Sequence, residues 1–310
     1  MRERDSTILS NPIRVGLGDA PLNSGIEHLQ PAGATLGDVE LSIVVPALNE
    51  GLTVGEFIEW CKAGVAAAGV TSQILIVDSS TDNTASIVLE HGGEVLRVPK
   101  RGVGRAYIDA IPYVRGKWIL MGDADLTYDF RELAPFVDEF RKGTEFIMGS
   151  RFRGSIQKGA MPRLHRYFGT PLTNWILNRI YHSDFSDIHC GIRGVTVEAW
   201  TRMNITSESW EYASEMVLKA ARLNLKRAEV PIKFYKDREG RLSHHRRVGW
   251  RSPWFAGWVN LKVMLVYAAD SFLLKPGFAL LAAGLLLRHS KLAEPVFTCG
   301  FVRRNGTGCR

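Results

Sequence analysis

Five short apolar runs alternate with amphipathic segments through the first half of the chain. A helix-compatible segment follows each of the first four runs. The predicted strands are Leu41–Val45, Ile74–Val77, Val95–Val98, Trp118–Met121 and Phe146–Met148, and the predicted helices are Val54–Ala68, Asn83–His91, Arg105–Val114 and Arg131–Lys142. Continuous apolar strands spaced by amphipathic helices are typical of a mostly parallel sheet that helices cover on both faces. The pattern therefore predicts an α/β fold.

The pattern changes after Arg151, where helical segments predominate. Helices are predicted at about Pro171–Tyr181 and Tyr212–Leu223, and a short strand at Lys226–Ile232. No linker separates this region from the first half, so both belong to one domain. Residues 1–40 contain charges, glycine and proline but no apolar stretch of signal-peptide type, and they predict a flexible leader.

Polar residues follow the ends of the first four predicted strands. They are Asn49 and Glu50, then Asp78 to Ser80, then Lys100 to Gly102, and finally Asp123 and Asp125. Ligands of open parallel sheets bind beyond the carboxyl ends of the strands. We therefore expect a binding site at this edge.

The acidic pair Asp123 and Asp125 is the strongest chemical signal in the chain. The small Ala124 between the two carboxylates lets the backbone approach a ligand closely. Carboxylates are hard oxygen ligands suited to Mg²⁺ or Mn²⁺, which commonly bridge to diphosphate oxygens. An isolated pair of this kind is usually an ordinary acidic turn. Its position after a buried strand, with arginines following in Gly149–Arg153, favours a site that stabilises a leaving diphosphate.

Other patterns point to less specific roles. Gly102 and Gly104 open a helix but lack the third glycine and the first-strand position of a dinucleotide site, so they predict only a tight turn. His189 and Cys190 have no partner ligands at recognisable spacing, and packing is the simpler interpretation. The four cysteines form no CxxC pair, which favours reduced thiols, with a late Cys299–Cys309 bridge as the alternative.

The positive charge is concentrated near the C-terminus. The net charge is +7, yet residues 41–232 hold 22 basic and 22 acidic side chains, and residues 233–310 hold 14 basic and 4 acidic ones. A nucleic-acid partner is therefore not expected, because such a partner requires a basic surface on the domain itself. A local anionic partner such as a membrane face or a phosphate is favoured.

The C-terminal segment has the composition of a membrane interface. Trp254, Trp258, Leu261, Leu265 and Ala268 recur at helical spacing, and Trp250 and several basic residues precede them. The alternative is a core-packing helix beside a solvated run of charge. The uncharged run Pro276–Leu287 has 12 residues, too few for a simple span. We expect a leader at 1–40, a domain at 41–250 and a membrane-associated segment at 251–310, peripheral or partially anchored.

Several motifs, in order, resemble those of the inverting family 2 glycosyltransferases with the GT-A fold. The motifs begin at Pro46, Val77, Gly122 and Gly149. Later segments, Asp187–Arg193 and Arg238–His244, resemble the polyprenyl-phosphate branch, which includes dolichol-phosphate mannose synthases and bacterial glucosyltransferases. The resemblance covers about Leu41–Ala268 and implies a Rossmann-like, mostly parallel sheet.

The resemblance also implies roles for individual residues. The nucleotide-sugar pocket would comprise Pro46, Glu50, Val77, Asp78, Ser79, Asp123, Ala124, Asp125 and Arg151. Asp123 and Asp125 would hold Mg²⁺ or Mn²⁺, with Asp125, Arg151 and Arg238 serving catalysis. The acceptor phosphate would contact Arg163, Arg193, Arg238 and His244. Three positions depart from the family pattern: Ser79 replaces an aspartate, Thr127 a metal-binding glutamine and His244 a lysine.

The expected reaction is a single displacement at the anomeric carbon of a GDP- or UDP-hexose, mannose or glucose, by a polyprenyl phosphate. A phosphomonoester, with a second pKa of about 6, is already nucleophilic at neutral pH and needs no general base. The expected location is the cytoplasmic face of a membrane. One alternative is a family 2 enzyme acting on a soluble sugar or cell-envelope glycan, for which Asp187 is the candidate base. Another is a non-catalytic membrane-surface module of the same fold.

Overall fold

The computed structural model describes residues 25–33, 37–163, 165–181, 183–238, 240 and 273–292. The chain divides into two compact units, Met1–Val263 and Met264–Arg310. Within the described residues, the first unit contains an eight-stranded sheet and seven α-helices, and the second contains one helix. The tryptophans at 250, 254 and 258, together with His244, lie outside the described residues.

The strands of the sheet are β1 (Glu27–Leu29), β2 (Leu41–Ala47), β3 (Ser72–Asp78), β4 (Glu94–Arg97), β5 (Trp118–Met121), β6 (Phe146–Ile156), β7 (Arg193–Thr196) and β8 (Arg227–Phe234). Their spatial order is β1-β4-β3-β2-β5-β7-β6-β8. The pairs β2–β3, β2–β5, β3–β4 and β6–β8 are parallel, and the pairs β1–β4, β5–β7 and β6–β7 are antiparallel. The expected α/β fold with a mostly parallel sheet is confirmed.

The helices of the first unit are α1 (Val54–Ala68), α2 (Thr84–Glu90), α3 (Val103–Ala110), α4 (Ala134–Arg141), α5 (Thr170–Tyr181), α6 (Val197–Met203) and α7 (Tyr212–Arg222). Helix α1 buries Val54, Phe57, Ile58 and Cys61, which recur every three or four residues, and it ends at Gly69, whose φ of 57° is left-handed. Phe57 packs edge-on against Phe130, with ring centroids 4.8 Å apart.

Some element boundaries differ from the prediction. Helix α4 begins at Ala134 rather than Arg131, because Phe130–Glu132 forms a 3₁₀ turn capped by the Asp129 side chain. Strand β6 continues to Ile156, because it pairs with β8 beyond the apolar run that predicted its start. Within the predicted leader, β1 pairs antiparallel with β4 and His28 contacts Glu94 at 3.0 Å, so this part of the leader belongs to the sheet.

Helix α8 (Lys275–Leu292) is the described part of the second unit. It extends beyond the uncharged run Pro276–Leu287 and includes Arg288 and Lys291. Its large apolar side chains between Phe278 and Leu287 are exposed. Among the residues that the structure describes, no helix has the length and hydrophobicity needed to cross a bilayer.

Candidate nucleotide-sugar site

Three adjacent parallel strands bring the predicted polar residues to one edge of the sheet. Pro46 of β2 lies opposite Val77 of β3, and Ala47 lies opposite Asp78. On its other side β2 pairs with β5, so the Asp123 turn leaves the sheet at the same edge. The topology therefore gathers the loops predicted to bind the nucleotide and the acidic pair.

Hydrogen bonds join the loops that follow β2 and β3. The backbone N–H of Asn49 donates to Oγ of Ser80 at 2.7 Å, and the N–H of Thr81 donates back to Oδ1 of Asn49 at 2.9 Å. Asn49 adopts a left-handed φ of 55°, which asparagine tolerates better than most residues. Asp78 is buried, and its Oδ1 accepts the N–H of Ser80 at 3.0 Å. The two loops thus form one preorganised surface.

Glu50 is a buried residue of this surface. Its backbone N–H donates to Oγ1 of Thr84 at 3.0 Å, and its Oε2 accepts a hydrogen bond from Oγ1 of Thr53 at 3.2 Å. Ser79, by contrast, donates its hydroxyl to the carbonyl of Val98 at 3.1 Å. Glu50 and Ser79 therefore stabilise the loops that follow β2 and β3.

The acidic pair lies in a strained turn directly after β5. Asp123 and Asp125 are partly exposed, whereas Ala124 between them is buried. Oδ1 of Asp125 accepts two hydrogen bonds from Thr127, from its N–H at 3.0 Å and from its Oγ1 at 2.6 Å. Leu126 has a left-handed φ of 62°, which is uncommon for a non-glycine residue. The turn therefore holds the Asp125 carboxylate in one orientation.

Gly191 makes room for the Asp123 carboxylate. A Cβ at position 191 would lie 2.7 Å from Oδ2 of Asp123 and 3.0 Å from the Tyr128 hydroxyl. The N–H of Gly191 donates to that hydroxyl at 2.9 Å. The loop from Asp187 to Arg193 therefore approaches the acidic pair closely at Gly191.

Buried tyrosines surround Asp123. Tyr107 donates its hydroxyl to the carbonyl of Gly122 at 3.1 Å, and its ring lies 5.1 Å from the ring of Tyr212. Burial raises the pKa of Tyr107 and of Tyr128 well above the ordinary value, and it raises the pKa of Tyr212 to about 12. The negative charge of Asp123 raises all three pKa values further. These phenols stay neutral at physiological pH, so they can donate hydrogen bonds but cannot act as bases.

The acidic pair fits a hard divalent cation. Thr127 orients the carboxylate of Asp125, and Gly191 leaves room for that of Asp123. Carboxylate oxygens are the donors that Mg²⁺ and Mn²⁺ prefer. Such ions commonly take one or two protein carboxylates and complete their coordination with water and phosphate oxygens. In the described part of the chain, this site included, no group of three or more His, Cys, Asp and Glu side chains is arranged to hold a metal, so the protein would supply the two carboxylates of the pair.

Arg151 makes a structural ion pair. Its Nε and Nη2 donate to the two carboxylate oxygens of Asp187 at 2.6 and 2.8 Å, and its backbone N–H donates to the same carboxylate at 3.1 Å. Asp187 is fully buried and Arg151 is 9% exposed. Burial lowers the Arg151 pKa, but the hydrogen bonds to Asp187 outweigh burial and raise it. The assignment of Arg151 to direct phosphate contact is therefore corrected to a positioning role.

The same ion pair removes Asp187 as a candidate base. Its carboxylate accepts three hydrogen bonds from Arg151 and has no exposed surface. A general base must reach the proton that it removes, either directly or through one water. Asp187 instead holds the loop that carries Gly191.

Arg193 is also structural. Its guanidinium donates to the backbone carbonyls of Cys190, Ala213 and Ile188, and the residue is 1% exposed. An acceptor phosphate could reach this group only by displacing those carbonyls. The predicted acceptor contact of Arg193 is therefore corrected, and the residue links the Gly191 loop to the first turn of α7.

The remaining predicted basic residues occupy different positions. Arg163 is exposed in the turn before α5. Arg238 forms an ion pair with Glu56 on α1 and remains about half exposed. His244 lies outside the described residues. Arg163 and Arg238 are therefore the described arginines of the predicted acceptor set that remain exposed.

The Gly102–Gly104 turn contacts another loop. A Cβ at Gly102 would lie 2.3 Å from the carbonyl oxygen of Glu208, and a Cβ at Gly104 would lie 2.2 Å from that of Ser207. The Arg105 N–H donates to the Glu208 carbonyl at 2.8 Å. These glycines thus allow close backbone packing and do not form a dinucleotide fingerprint.

Sequence reasoning missed three residues around the acidic pair. The predicted site did not include Tyr107, Tyr128 or Gly191. Gly191 lay within a motif that the resemblance had singled out, and its lack of a side chain was the available signal. The tyrosines gave no such signal, because only the fold brings Tyr107 beneath Gly122.

Comparison with known proteins places these observations in a family. Residues 42–200 match the family model described as Glycosyl transferase family 2. The low-salt glycan biosynthesis hexosyltransferase Agl6 of Haloferax volcanii is 38% identical over 265 residues, which cover 85% of this chain and 62% of Agl6. The glycosyltransferase AglJ of the same organism is 29% identical, covering 64% of each chain. The chain thus spans less than two thirds of the length of these relatives.

Solved structures show the same fold. Mannosyl-3-phosphoglycerate synthase from Rubrobacter xylanophilus superposes with a TM-score of 0.55 at 24% identity, covering 73% of this chain and 74% of that one. Glucosyl-3-phosphoglycerate synthase from Mycobacterium tuberculosis, in complex with Mn²⁺ and UDP-glucose, gives a TM-score of 0.54 at 18% identity, covering 74% and 79%. At these identities the likeness concerns the fold, and the expected GT-A architecture is confirmed.

Proposed function

The chain belongs to glycosyl transferase family 2, and on that premise we propose that it transfers a hexose from a nucleotide-diphosphate sugar to a polyprenyl phosphate. The proposed reaction inverts the anomeric configuration in a single displacement. The proposed location is the cytoplasmic face of a membrane. The observation that carries the proposal is the oriented acidic pair Asp123 and Asp125, beside the joined loops that follow β2 and β3.

The acidic pair supports a metal-assisted diphosphate site. Asp123 and Asp125 would hold Mg²⁺ or Mn²⁺, which when bound neutralises charge on the departing diphosphate. Thr127 orients Asp125 through two hydrogen bonds, and Gly191 leaves space beside Asp123. The structure of the M. tuberculosis synthase with Mn²⁺ and UDP-glucose supports this donor class.

The remaining residues of the pocket bind and position the donor. Pro46, Glu50, Val77, Asp78 and Ser79 lie on or beside the joined loops and shape the nucleotide side of the pocket. The small side chain of Ala124 would let the diphosphate approach the backbone between the two carboxylates. Arg151 contributes through its ion pair with Asp187, which fixes the loop over Asp123.

A phosphate acceptor is compatible with the buried state of Asp187. A sugar hydroxyl would need a general base, whereas a phosphomonoester, with its second pKa of about 6, carries a nucleophilic oxygen at neutral pH. Arg163 and Arg238 are the described residues of the proposed acceptor contact, and His244 completes it. The relation to Agl6, named a hexosyltransferase of glycan biosynthesis, supports a hexose as the transferred group.

The structural neighbours favour a second candidate, a soluble phosphorylated acceptor. One M. tuberculosis structure contains phosphoglyceric acid, and another contains the product glucosyl-3-phosphoglycerate. Such an acceptor has the same ionised phosphate chemistry as a polyprenyl phosphate. The two candidates therefore differ in what is attached to the phosphate.

Product partitioning separates these two acceptors. The full chain would be incubated with Mn²⁺ and radiolabelled GDP-mannose, GDP-glucose or UDP-glucose, together with either a short polyprenyl phosphate or 3-phosphoglycerate. We expect label to enter butanol only with the polyprenyl phosphate. Label in a charged water-soluble product with 3-phosphoglycerate alone would support the second candidate, and absence of transfer across the full panel would contradict both.

A further inference from the structure

Four large apolar side chains form an exposed aromatic face on α5 and the turn before it. Tyr167, Phe168, Leu172 and Trp175 are 71%, 63%, 44% and 66% exposed. Leu172 and Trp175 are three residues apart on α5 and so lie on one side of the helix, and Tyr167 and Phe168 precede them in the π-helical turn His165–Gly169. Neighbouring large apolar side chains that are exposed to this degree mark a candidate surface for a partner or a membrane.

The opposite side of α5 is attached to the loop that covers the acidic pair. Asn174 is 6% exposed and Leu177 is 3% exposed. The Asn174 side chain donates to the carbonyl of Ser186 and accepts the N–H of Ile188 at 3.2 Å. Helix α5 therefore presents the aromatic face outwards and holds the segment containing Asp187 on its inner side.

The segment around the aromatic face is basic. Residues 158–183 contain four Lys and Arg side chains, Lys158, Arg163, Arg166 and Arg179, and no Asp or Glu. Arg163 and Arg179 are exposed, and the guanidinium of Arg166 lies 5.5 Å from the centre of the Tyr167 ring. Aromatic side chains interspersed with arginine are typical of the headgroup region of a bilayer, where the rings insert and the cations meet anionic lipids.

We propose that the aromatic face docks the catalytic domain on an anionic bilayer surface. The proposal rests on the proposed function only in that a polyprenyl acceptor resides in a bilayer. Docking through α5 would place the loop from Asp187 to Gly191, and with it the donor site, close to the lipid headgroups. A second copy of the chain is disfavoured as the occupant, because a symmetric contact would juxtapose two basic segments that lack acidic side chains.

A site-specific environmental probe tests the docking surface in the full chain. Cys299 and Cys309 would be replaced by serine, since Cys61 and Cys190 are buried and poorly reactive. A solvatochromic dye would then be attached at Leu172→Cys or, as the matched control, at Leu223→Cys, an exposed leucine at the end of α7. With phosphatidylglycerol-containing vesicles, we expect a blue shift at position 172 and none at position 223.

A second pair of variants measures how much the aromatic face contributes to vesicle binding. The double substitution Phe168→Glu and Trp175→Glu should weaken vesicle partitioning at least about tenfold, because two large apolar groups are lost and two negative charges are gained. Leu223→Glu is the control and should leave partitioning unchanged. Equal shifts at positions 172 and 223, or unchanged partitioning of the double variant, would contradict the proposal.

Two further outcomes would assign the face to another occupant. A dye at position 172 that is shielded without lipid in a concentration-dependent manner would indicate a second copy of the chain. Shielding without lipid at every concentration would indicate a segment of the same chain. Both would overturn membrane docking.

Transfer to detergent-solubilised polyprenyl phosphate separates this proposal from the proposed function. A shifted dye without transfer would retain the docking surface and contradict the acceptor assignment. Transfer without a shifted dye would retain the acceptor assignment and contradict the docking surface.

Discussion

Disrupting the ion pair between Arg151 and Asp187 should destabilise the domain. Asp187→Ala would leave the buried Arg151 guanidinium without the carboxylate that accepts hydrogen bonds from its Nε and Nη2 at 2.6 and 2.8 Å. Removing one partner of a buried pair costs about 3–5 kcal/mol. At about 2–4 °C per kcal/mol for a domain of this size, the melting temperature should fall by roughly 6–20 °C.

A double-mutant cycle distinguishes a specific pair from two separate packing defects. Arg151→Met alone should also be strongly destabilising, since it leaves a buried carboxylate unpaired. The double variant leaves neither charge unpaired. Its loss of unfolding free energy should therefore be about 1–3 kcal/mol smaller than the sum of the losses of the two single variants. Thermal and urea unfolding, followed by far-UV circular dichroism, measure all four proteins.

Additive losses in this cycle would refute the interpretation of the pair as a structural clamp. Retained stability of Asp187→Ala together with complete loss of transfer would indicate instead that Asp187 acts directly in the chemistry. Asp138→Asn provides a surface control: this aspartate is 62% exposed and is paired with Arg141 on α4, and its substitution should change stability by less than about 1 kcal/mol.

Three further variants test the surroundings of the acidic pair. Gly191→Ala should place a methyl group 2.7 Å from Oδ2 of Asp123 and lower Mn²⁺ affinity in electron paramagnetic resonance titrations. Thr127→Val removes the hydroxyl that donates to Asp125 and should lower transfer efficiency about tenfold or more in initial-rate measurements, because a hydrogen bond to a charged group contributes about 1.5–3 kcal/mol. Burial lowers the pKa of His189 to about 4, so the unfolded chain binds this proton at a higher pH than the folded protein does. The free energy of unfolding should therefore fall by about 3 kcal/mol as the pH drops from 6.5 to 4. His189→Asn should reduce this pH dependence in unfolding experiments.

The first two variants have matched controls, and each of the three has a result that would contradict it. Gly37→Ala adds a methyl group with nothing within 4 Å and should preserve Mn²⁺ affinity. Thr127→Ser keeps the hydroxyl and should restore most of the transfer efficiency. An unchanged affinity in Gly191→Ala or an unchanged rate in Thr127→Val would contradict the corresponding contact. An unchanged pH slope in His189→Asn would contradict the assignment of that slope to His189.

The sequence pattern predicts the central part of the sheet well, because buried parallel strands are continuous apolar runs. Strand β5 was predicted with its observed bounds, Trp118–Met121. Strand β7 was missed, because Arg193–Thr196 is short and includes a glycine and two polar residues. Its place between β5 and β6 depends on long-range pairing, which local periodicity does not encode.

The predicted positions of the site residues agree best with the structure where backbone topology determines them. Asp123 and Asp125 follow a central strand, so their place at the carboxyl edge follows from the strand order. The arginines were harder to assign, since a long side chain can turn inwards or outwards from the same backbone position. Arg151 and Arg193 turn inwards, one to a carboxylate and the other to three carbonyls, and only the tertiary structure distinguishes these from phosphate contacts.

The central claim is that the acidic pair supports sugar transfer to a lipid phosphate. The most direct test is the initial rate of label transfer from the preferred nucleotide sugar to a polyprenyl phosphate with Mn²⁺, compared between the wild-type chain and Asp125→Asn. Asp138→Asn, an exposed position on α4, is the matched control. We predict that Asp125→Asn lowers the rate at least about a hundredfold, the loss of roughly 2.7 kcal/mol of transition-state stabilisation, without unfolding the protein. A rate equal to that of the wild type in the folded variant would contradict the account.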